Sequence, residues 1–491
     1  MKKTAWGVAV VAVAAIGYAG ASWTIGQQIE QRYTDEYDRA LSMLGVGNVI
    51  SHDYERGWFT SVGHTVIEFE VPEELFGVQH PATEPPAETD PDIEVEPKFR
   101  TVRLHLEDRV RHGPLPGWRI AAATIESRLT EVEGIDDATR QAFAGAKAPY
   151  LNTLFAFGGS YHGDFVLPAG EVRQPKLVAQ WQQFDSTVDG TADTNRVKGK
   201  LNWPQMTMTP TAVDGTPADS IRIVMRGMTG DFEMDQPQDG QPWMSAQGTY
   251  KGRIEEISLR RVGDGTSAEP PLLACNDMQL HSNTTLDGAL LNMKLNLTSR
   301  GSVGGLAIDS LRLDSTLDRL DLEAMNSLKG LMQPAADPIA PNPDAQAGPE
   351  VNAVIEQLLV AKPAYAVKFT AALGGQDGEF GYRLAVVDAP NQASSAFPPG
   401  MPPNLLLLSL LSQRVEGDAN LLLPKSWLPA IANAVADPKL SVQSMKTVLD
   451  GLVAQRMLVA DAQGWRADLK LKQGAVLLNG QPFKGMGPMV R

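Results

Sequence analysis

The sequence predicts a mainly β chain. A large antiparallel, elongated or curved β-sheet body with flanking helices is expected behind an N-terminal transmembrane helix. Three observations predict it. An uncharged apolar run, WGVAVVAVAAIGYAGASW, extends from Trp6 to Trp23. Beyond it, segment after segment alternates apolar and polar residues with a period of two, as half-buried strands do. Gly, Asn and Asp mark the turns, as at Asp287-Gly288 and Gly374-Gly375.

The apolar run is near the lower length limit for a bilayer span, roughly 18–20 residues. Trp6, Tyr18 and Trp23 stand where interfacial aromatics are expected. Ala19-Gly20-Ala21 also fits the small-residue pattern of a cleaved signal peptide, which is the competing reading. The run exceeds a usual signal-peptide core of roughly 7–15 residues, which favours an uncleaved anchor. An amphipathic helix follows without a break, with Ile29, Tyr33, Tyr37, Ala40, Leu41 and Leu44 at helical spacing. Lys2 and Lys3 should stay in the cytoplasm by the positive-inside rule. The expectation is a single-pass inner-membrane protein with its N-terminus cytoplasmic and its bulk in the periplasm of a Gram-negative cell.

Strand patterns follow in order. Val102, Leu104 and Leu106 alternate with Arg103, His105 and Glu107. Ile221, Ile223 and Met225 alternate with Arg222, Val224 and Arg226, where Val224 is the exception. Leu291, Met293, Leu295 and Leu297 alternate with Asn292, Lys294, Asn296 and Thr298. One-sided strands of this kind belong to antiparallel sheets with one wet face. Helices are expected over Val351 to Val360, after Ser426 with Pro429 in the first turn, and over Lys439 to Val459. Leu405 to Leu411 reads as a short buried helix or a strand. Pro-rich stretches run from His80 to Pro97, Pro334 to Pro349 and Pro390 to Pro403. The second lacks periodicity and is the best boundary. The expected organisation is a cytoplasmic tip and anchor (1–26), a connecting helix (27–50), a β-rich region (51–333), a linker (334–349) and a C-terminal α+β region packing on the sheet (350–491).

A net charge of -15 over 491 residues excludes nucleic acid as a partner, because phosphate binding needs basic surface. It also opposes broad adsorption to anionic lipid. Cys275 is the single cysteine, so no intramolecular disulfide forms, and its apolar neighbours mark it as a buried small hydrophobe. None of the seven histidines is spaced as a ligand pair on a helix, so no metal site is expected. Gly158 to Gly163 (GGSYHG) fails the G-x-S-x-G pattern at His162 and precedes a strand. Gly45-Val46-Gly47 lacks the third glycine of a dinucleotide loop. No cofactor and no catalytic residue are expected.

Four stretches resemble the YdgA-like family, a bacterial domain of unknown function with one N-terminal membrane helix. They are the anchor with its following helix, then Tyr54-Glu55-Arg56-Gly57-Trp58-Phe59-Thr60-Ser61, then His112-Gly113-Pro114. The fourth is the C-terminal hairpin from Leu469 to Pro482 with Gly474 and Asn479-Gly480. The resemblance implies a location and an architecture and supplies no activity. Physically these pieces read as structural. Trp58 and Phe59 are expected to be buried and to pin the helix leaving the membrane to the first strand. Gly57 permits a bend, Arg56 can stack on an aromatic, and His112 can bond backbone in a rigid turn.

The leading functional expectation is an envelope protein that binds lipid or an envelope partner through an apolar sheet surface. One alternative is an enzyme acting on an envelope polymer, with His112 beside Glu107 or Asp108. The other is a homodimeric scaffold.

Overall fold

Period-2 patterning becomes strand almost wherever the computed structural model describes the chain. The structure describes residues 18–19, 21–30, 47–72, 99–135, 137, 140–141, 146–174, 177–191, 196–210, 221–235, 246–261, 271–332, 349–388, 414–435, 441–472 and 474–483. Most of the run from Trp6 to Trp23 lies outside these residues. So do 31–46 of the expected connecting helix, 80–97, the linker 334–348, 390–403 and the run 405–411. Among the described residues no helix is long and apolar enough to cross a membrane.

The described residues form 22 strands and a few helices. The chain divides into two compact units, 1–246 with 261–267, and 247–260 with 268–491. In the first unit, β1 (Asn48–Arg56), β2 (Thr60–Pro72), β3 (Phe99–His112), β4 (Ala123–Glu133), β5 (Tyr150–Phe155) and β6 (Ser160–Leu167) pair antiparallel in succession. β7 (Gly170–Gln174) and β8 (Leu177–Trp181) form a hairpin, and β9 (Phe184–Thr191) returns to β6. β8 and β9 lie end to end along one edge of β10 (Arg196–Pro210), whose other edge pairs with β11 (Ile221–Asp235).

The second unit is a longer meander. β12 (Gln247–Arg261), β13 (Leu273–Asp287), β14 (Leu290–Val303), β15 (Leu306–Asp321), β16 (Ala364–Leu373), β17 (Gln376–Val386) and β18 (Val415–Pro424) pair antiparallel in sequence order. β18 then pairs with β20 (Gly464–Lys472), which also holds β19 (Val459–Ala460) and β21 (Ala475–Leu478). β21 pairs with β22 (Gln481–Pro482).

Helices of this unit pack against β15 and β18. Leu322–Met332 and Pro349–Val360 bury Leu322, Ala324, Ile355 and Leu359. Trp427–Val435 and Val442–Ala454 pack Leu428, Met445, Leu449, Leu452 and Val453 around Leu458 and Trp465. Four of the five residues in the expected stripe between Lys439 and Val459 are in this cluster, and Ser441 caps the helix by accepting from Ser444 N–H. The helix ends five residues before Val459, which is in a strand. Asn479 and Gly480 sit at φ 51° and 76°, as a tight two-residue hairpin turn requires. The Asn479 amide donates to the Arg456 and Met457 carbonyls, tying the last hairpin to the end of the preceding helix.

Candidate functional site

Continuing the alternation of β3 past Leu106 puts Asp108, Val110 and His112 on the same face as Val102 and Leu104. All but Leu104 and Leu106 of these are fully buried. β2 sets Ser61, Gly63 and Thr65 beside them, with Ser61 opposite Val110 and Gly63 opposite Asp108. A polar band therefore crosses a buried sheet face. The helix 21–30 lies on it.

That helix follows a direction readable from its contacts. Tyr18 stacks on Phe59, with ring centroids 5.6 Å apart, and its hydroxyl reaches the Leu115 carbonyl at 3.5 Å. Trp23 meets Trp58 at 5.1 Å, and the Arg56 guanidinium lies 4.1 Å over the Trp23 ring. Further along, Glu30 accepts from Arg56 at 2.6 Å. Between these contacts the helix presents small residues. A Cβ on Gly26 would stand 2.7 Å from the His112 ring, and one on Gly113, at φ 120°, would overlap the Ser22 hydroxyl. Both glycines let backbone approach closely.

His112 is the centre of this contact. Its Nδ1 lies 2.8 Å from the Ser22 carbonyl, which only accepts, so Nδ1 carries the proton. Nε2 then accepts from the Ser61 hydroxyl at 3.0 Å. Burial holds the imidazole below its ordinary range; the Ser22 carbonyl opposes the shift and the Arg56 charge adds to it. A neutral His–Ser pair of this polarity matches the first step of nucleophile activation. Here both side chains are buried under the helix, and the pair acts as a clamp. Glu107 is not part of it. It projects from the opposite face of β3 and accepts from Arg109 at 2.7 Å, so the expected His112–Glu107 pairing does not form.

Asp108 shares the buried face but bonds Ser127 of β4. Burial pushes its carboxyl up to about 6, against the pull of that hydroxyl. Burial also raises the Tyr54 phenol, against Ser61; Glu30 adds to the rise and Arg56 opposes it.

The motif residues of YERGWFTS and HGP meet at the helix, whereas Asn479 and Gly480 belong to the C-terminal hairpin, and one expectation is corrected. Trp58 and Phe59 touch it but are not buried, being 61% and 45% exposed. They occupy the β1–β2 turn, where a ring covers the helix on one side and faces outward on the other. Sequence reasoning missed Ser22 and Gly26, and read Asp108 only as a possible partner of His112. The alternation of β3 carried the signal for Asp108, and the four-residue spacing of Tyr18, Ser22 and Gly26 carried it for the helix face.

A second cluster lies on the outer face of β3 and β4. An extra residue in β4, Thr130, shifts the register beside His105 and brings Glu131 and Glu133 to its face. Ligand atoms of these three lie within 4.8 Å of one another. Arg103 stands 3.8 Å from Glu133 and already supplies a positive charge there.

Along its whole length the chain matches one family. The model of a bacterial protein of unknown function (DUF945) covers residues 1–485. The chain belongs to the DUF945 family. No curated protein and no solved structure matches it. The match extends through the C-terminal hairpin, so both units of the chain are DUF945 sequence.

The second unit of this DUF945 protein is one-sided. Across β14, β15, β16, β17, β18 and β20, one row of paired residues reads Met293, Leu317, Tyr365, Leu384, Gly417 and Leu471. The next reads Leu295, Ser315, Val367, Tyr382, Ala419 and Leu469. A third reads Leu297, Leu313, Phe369, Phe380, Leu421 and Ala467. None is charged. The opposite face carries Asp314, Lys368, Arg383, Asp418 and Asn420 around a shallow depression over Ala366 and Gly381. Those charges satisfy one another: Lys368 meets Glu379 at 2.8 Å and Arg312 meets Asp314 at 2.6 Å. The Lys368 and Asn420 hydrogen bonds hold the Glu379 carboxyl low.

Proposed function

We propose that this protein is a membrane-tethered envelope protein that binds lipid on the apolar face of its second unit. The observation that carries the reading is the set of three uncharged rows, with Phe369 39% and Phe380 45% exposed at their centre. Six strands at about 4.8 Å spacing give the face a width of roughly 24 Å. One leaflet of hydrocarbon is about 15 Å deep, half a bilayer core of about 30 Å. The C-terminal helices already pack over Leu421 and Ala467 of the third row, so an acyl chain is laid across the strands along the first two rows. Each methylene it buries contributes about 0.8 kcal/mol. A catalytic reading has less support, because the Ser61–His112 pair is sealed under a helix.

The tether is the uncharged run that begins at Trp6, with Lys2 and Lys3 on the cytoplasmic side and the body in the periplasm; its last residues, Tyr18, Ser22 and Trp23, pack on the body's own sheet. Its support is the absence of charge along the run.

Lipid mass spectrometry of the full-length protein, extracted from membranes in mild detergent, tests the reading. Phospholipid retained in stoichiometric amount by the native chain, and lost from Phe369→Asp and Phe380→Asp variants with unchanged melting temperature, is the expected result. Equal lipid in native and variant chains would sink it. A concentration-dependent dimer broken by the same variants would replace lipid with a second copy of the chain as the occupant.

A further inference from the structure

Three loops meet at one end of the first unit's sheet. The ladder fixes this: the His112 N–H bonds the Phe59 carbonyl, Gly113 bonds Ala122, Ala122 bonds Phe155, and Ala156 bonds Ser160. The β1–β2 turn (57–59), the β3–β4 connection (113–122) and the β5–β6 turn (156–159) are therefore neighbours at the same end. They carry six large apolar side chains turned outward. Trp118 is 93% and Ile120 83% exposed, and Trp58, Phe59, Leu115 and Phe157 are exposed too. Exposed patches of this size on soluble surfaces mark an interaction site.

Charge and direction say what covers them. The chain carries a net charge of -15, yet these three loops contain no carboxylate and one cation, Arg119. Arg111 adds a second exposed cation at the end of β3. Tyr18, at the N-terminal end of the described helix, packs between Phe59 and Leu115, whereas Glu30 lies deeper over the sheet near Arg56 and Tyr54. Tyr18 thus sets the start of the described helix at the loop end, and the greater part of the apolar run precedes it in sequence.

We propose that these three loops seat in the interfacial layer of the same bilayer that holds the N-terminal run, with Trp118 and Ile120 deepest and Arg119 at the lipid phosphates. The proposal rests on the tether read above. Tryptophan favours this layer because its ring is apolar and its N–H is wet. A second contact beside the anchor fixes the body's tilt, which a single helix alone leaves free. The short, carboxylate-free loops let the sheet end approach anionic headgroups despite the charge of the rest of the chain.

Spin labelling of the full chain tests it. In a Cys275→Ser background, single labels are placed by Trp118→Cys, Ile120→Cys and, at the far end of β2, Glu70→Cys. Each protein is reconstituted into vesicles of phosphatidylethanolamine and phosphatidylglycerol. The expected result is preferential collision with oxygen at 118 and 120 and with a water-soluble nickel chelate at 70. Carbonate washing is measured on the same samples. Labels at 118 and 120 that report water in a protein resistant to the wash would overturn the loop contact and leave the tether standing. Release by the wash would remove the tether, and the proposal with it.

Discussion

Replacing Asp108 by Asn should stabilise the protein at neutral pH. The Asp108 carboxyl is fully buried on the inner face of β3 and is pushed up to about 6 from 3.8. Its folded value lies above its unfolded value, so the folded state holds the proton more tightly. That contribution is fully present below about pH 4, is lost as pH rises towards 6, and is absent above it. A gap of about two pH units at about 1.4 kcal/mol each makes the ionised carboxylate cost about 3 kcal/mol at pH 7.5. Asn cannot ionise and keeps an oxygen for the Ser127 hydroxyl. For a unit of this size about 3 kcal/mol corresponds to roughly 6–12 °C in Tm. Differential scanning fluorimetry of native and Asp108→Asn protein, from pH 4 to 8, reads the effect. The two curves should converge at pH 4 and separate as pH rises, with the variant above. A variant that melts lower at pH 7.5, or by the same margin at every pH, would refute the burial argument.

Three further outcomes concern the docked helix. Gly26→Ala places a methyl against the His112 ring and should cost about 1–3 kcal/mol, read as a lower Tm and as earlier proteolysis between the helix and β1. Ser22→Ala removes a buried hydroxyl that has no hydrogen-bond partner among the described residues, while the Ser22 carbonyl still accepts from His112. Its Tm should stay level or rise, and a fall of several degrees would show that the hydroxyl is bonded. Trp58→Ala loses one face of a ring pair rather than a core side chain, so equilibrium denaturation should show about 1 kcal/mol, well short of the 3–5 kcal/mol of a buried Trp.

The strands were legible because their alternation is local. Leu291 to Leu297 reads as one wet and one dry face, and the structure sets Met293, Leu295 and Leu297 into the uncharged rows of the second unit. The helices Pro349–Val360 and Val442–Ala454 were legible too, the second from its apolar stripe at helical spacing. The helix contact was legible only in its parts. YERGWFTS and HGP mark its acceptor, but their meeting with Ser22 and Gly26 is a long-range register that no local pattern encodes. Trp58 misled because size alone argues for burial, whereas its place on a two-strand turn leaves one ring face outward. Asp108 was passed over as half of a candidate pair with His112, although the period of its own strand already put it on the apolar face.

The pairing order of the second unit governs how it is made. From β12 to β18 each strand lies against the one synthesised just before it. A chain delivered N-terminus first therefore lengthens its sheet by one strand at a time at a growing edge, with longer closures only between β15 and β16 and between β17 and β18. That edge is the hazard, since an unpaired strand templates pairing with any neighbour until its successor arrives. The N-terminal helix runs on a different clock. It is among the first segments made, yet its acceptor, His112, follows Ser22 by 90 positions. The helix must wait for β1, β2 and β3, and its docking marks the moment at which the first sheet has a face to receive it.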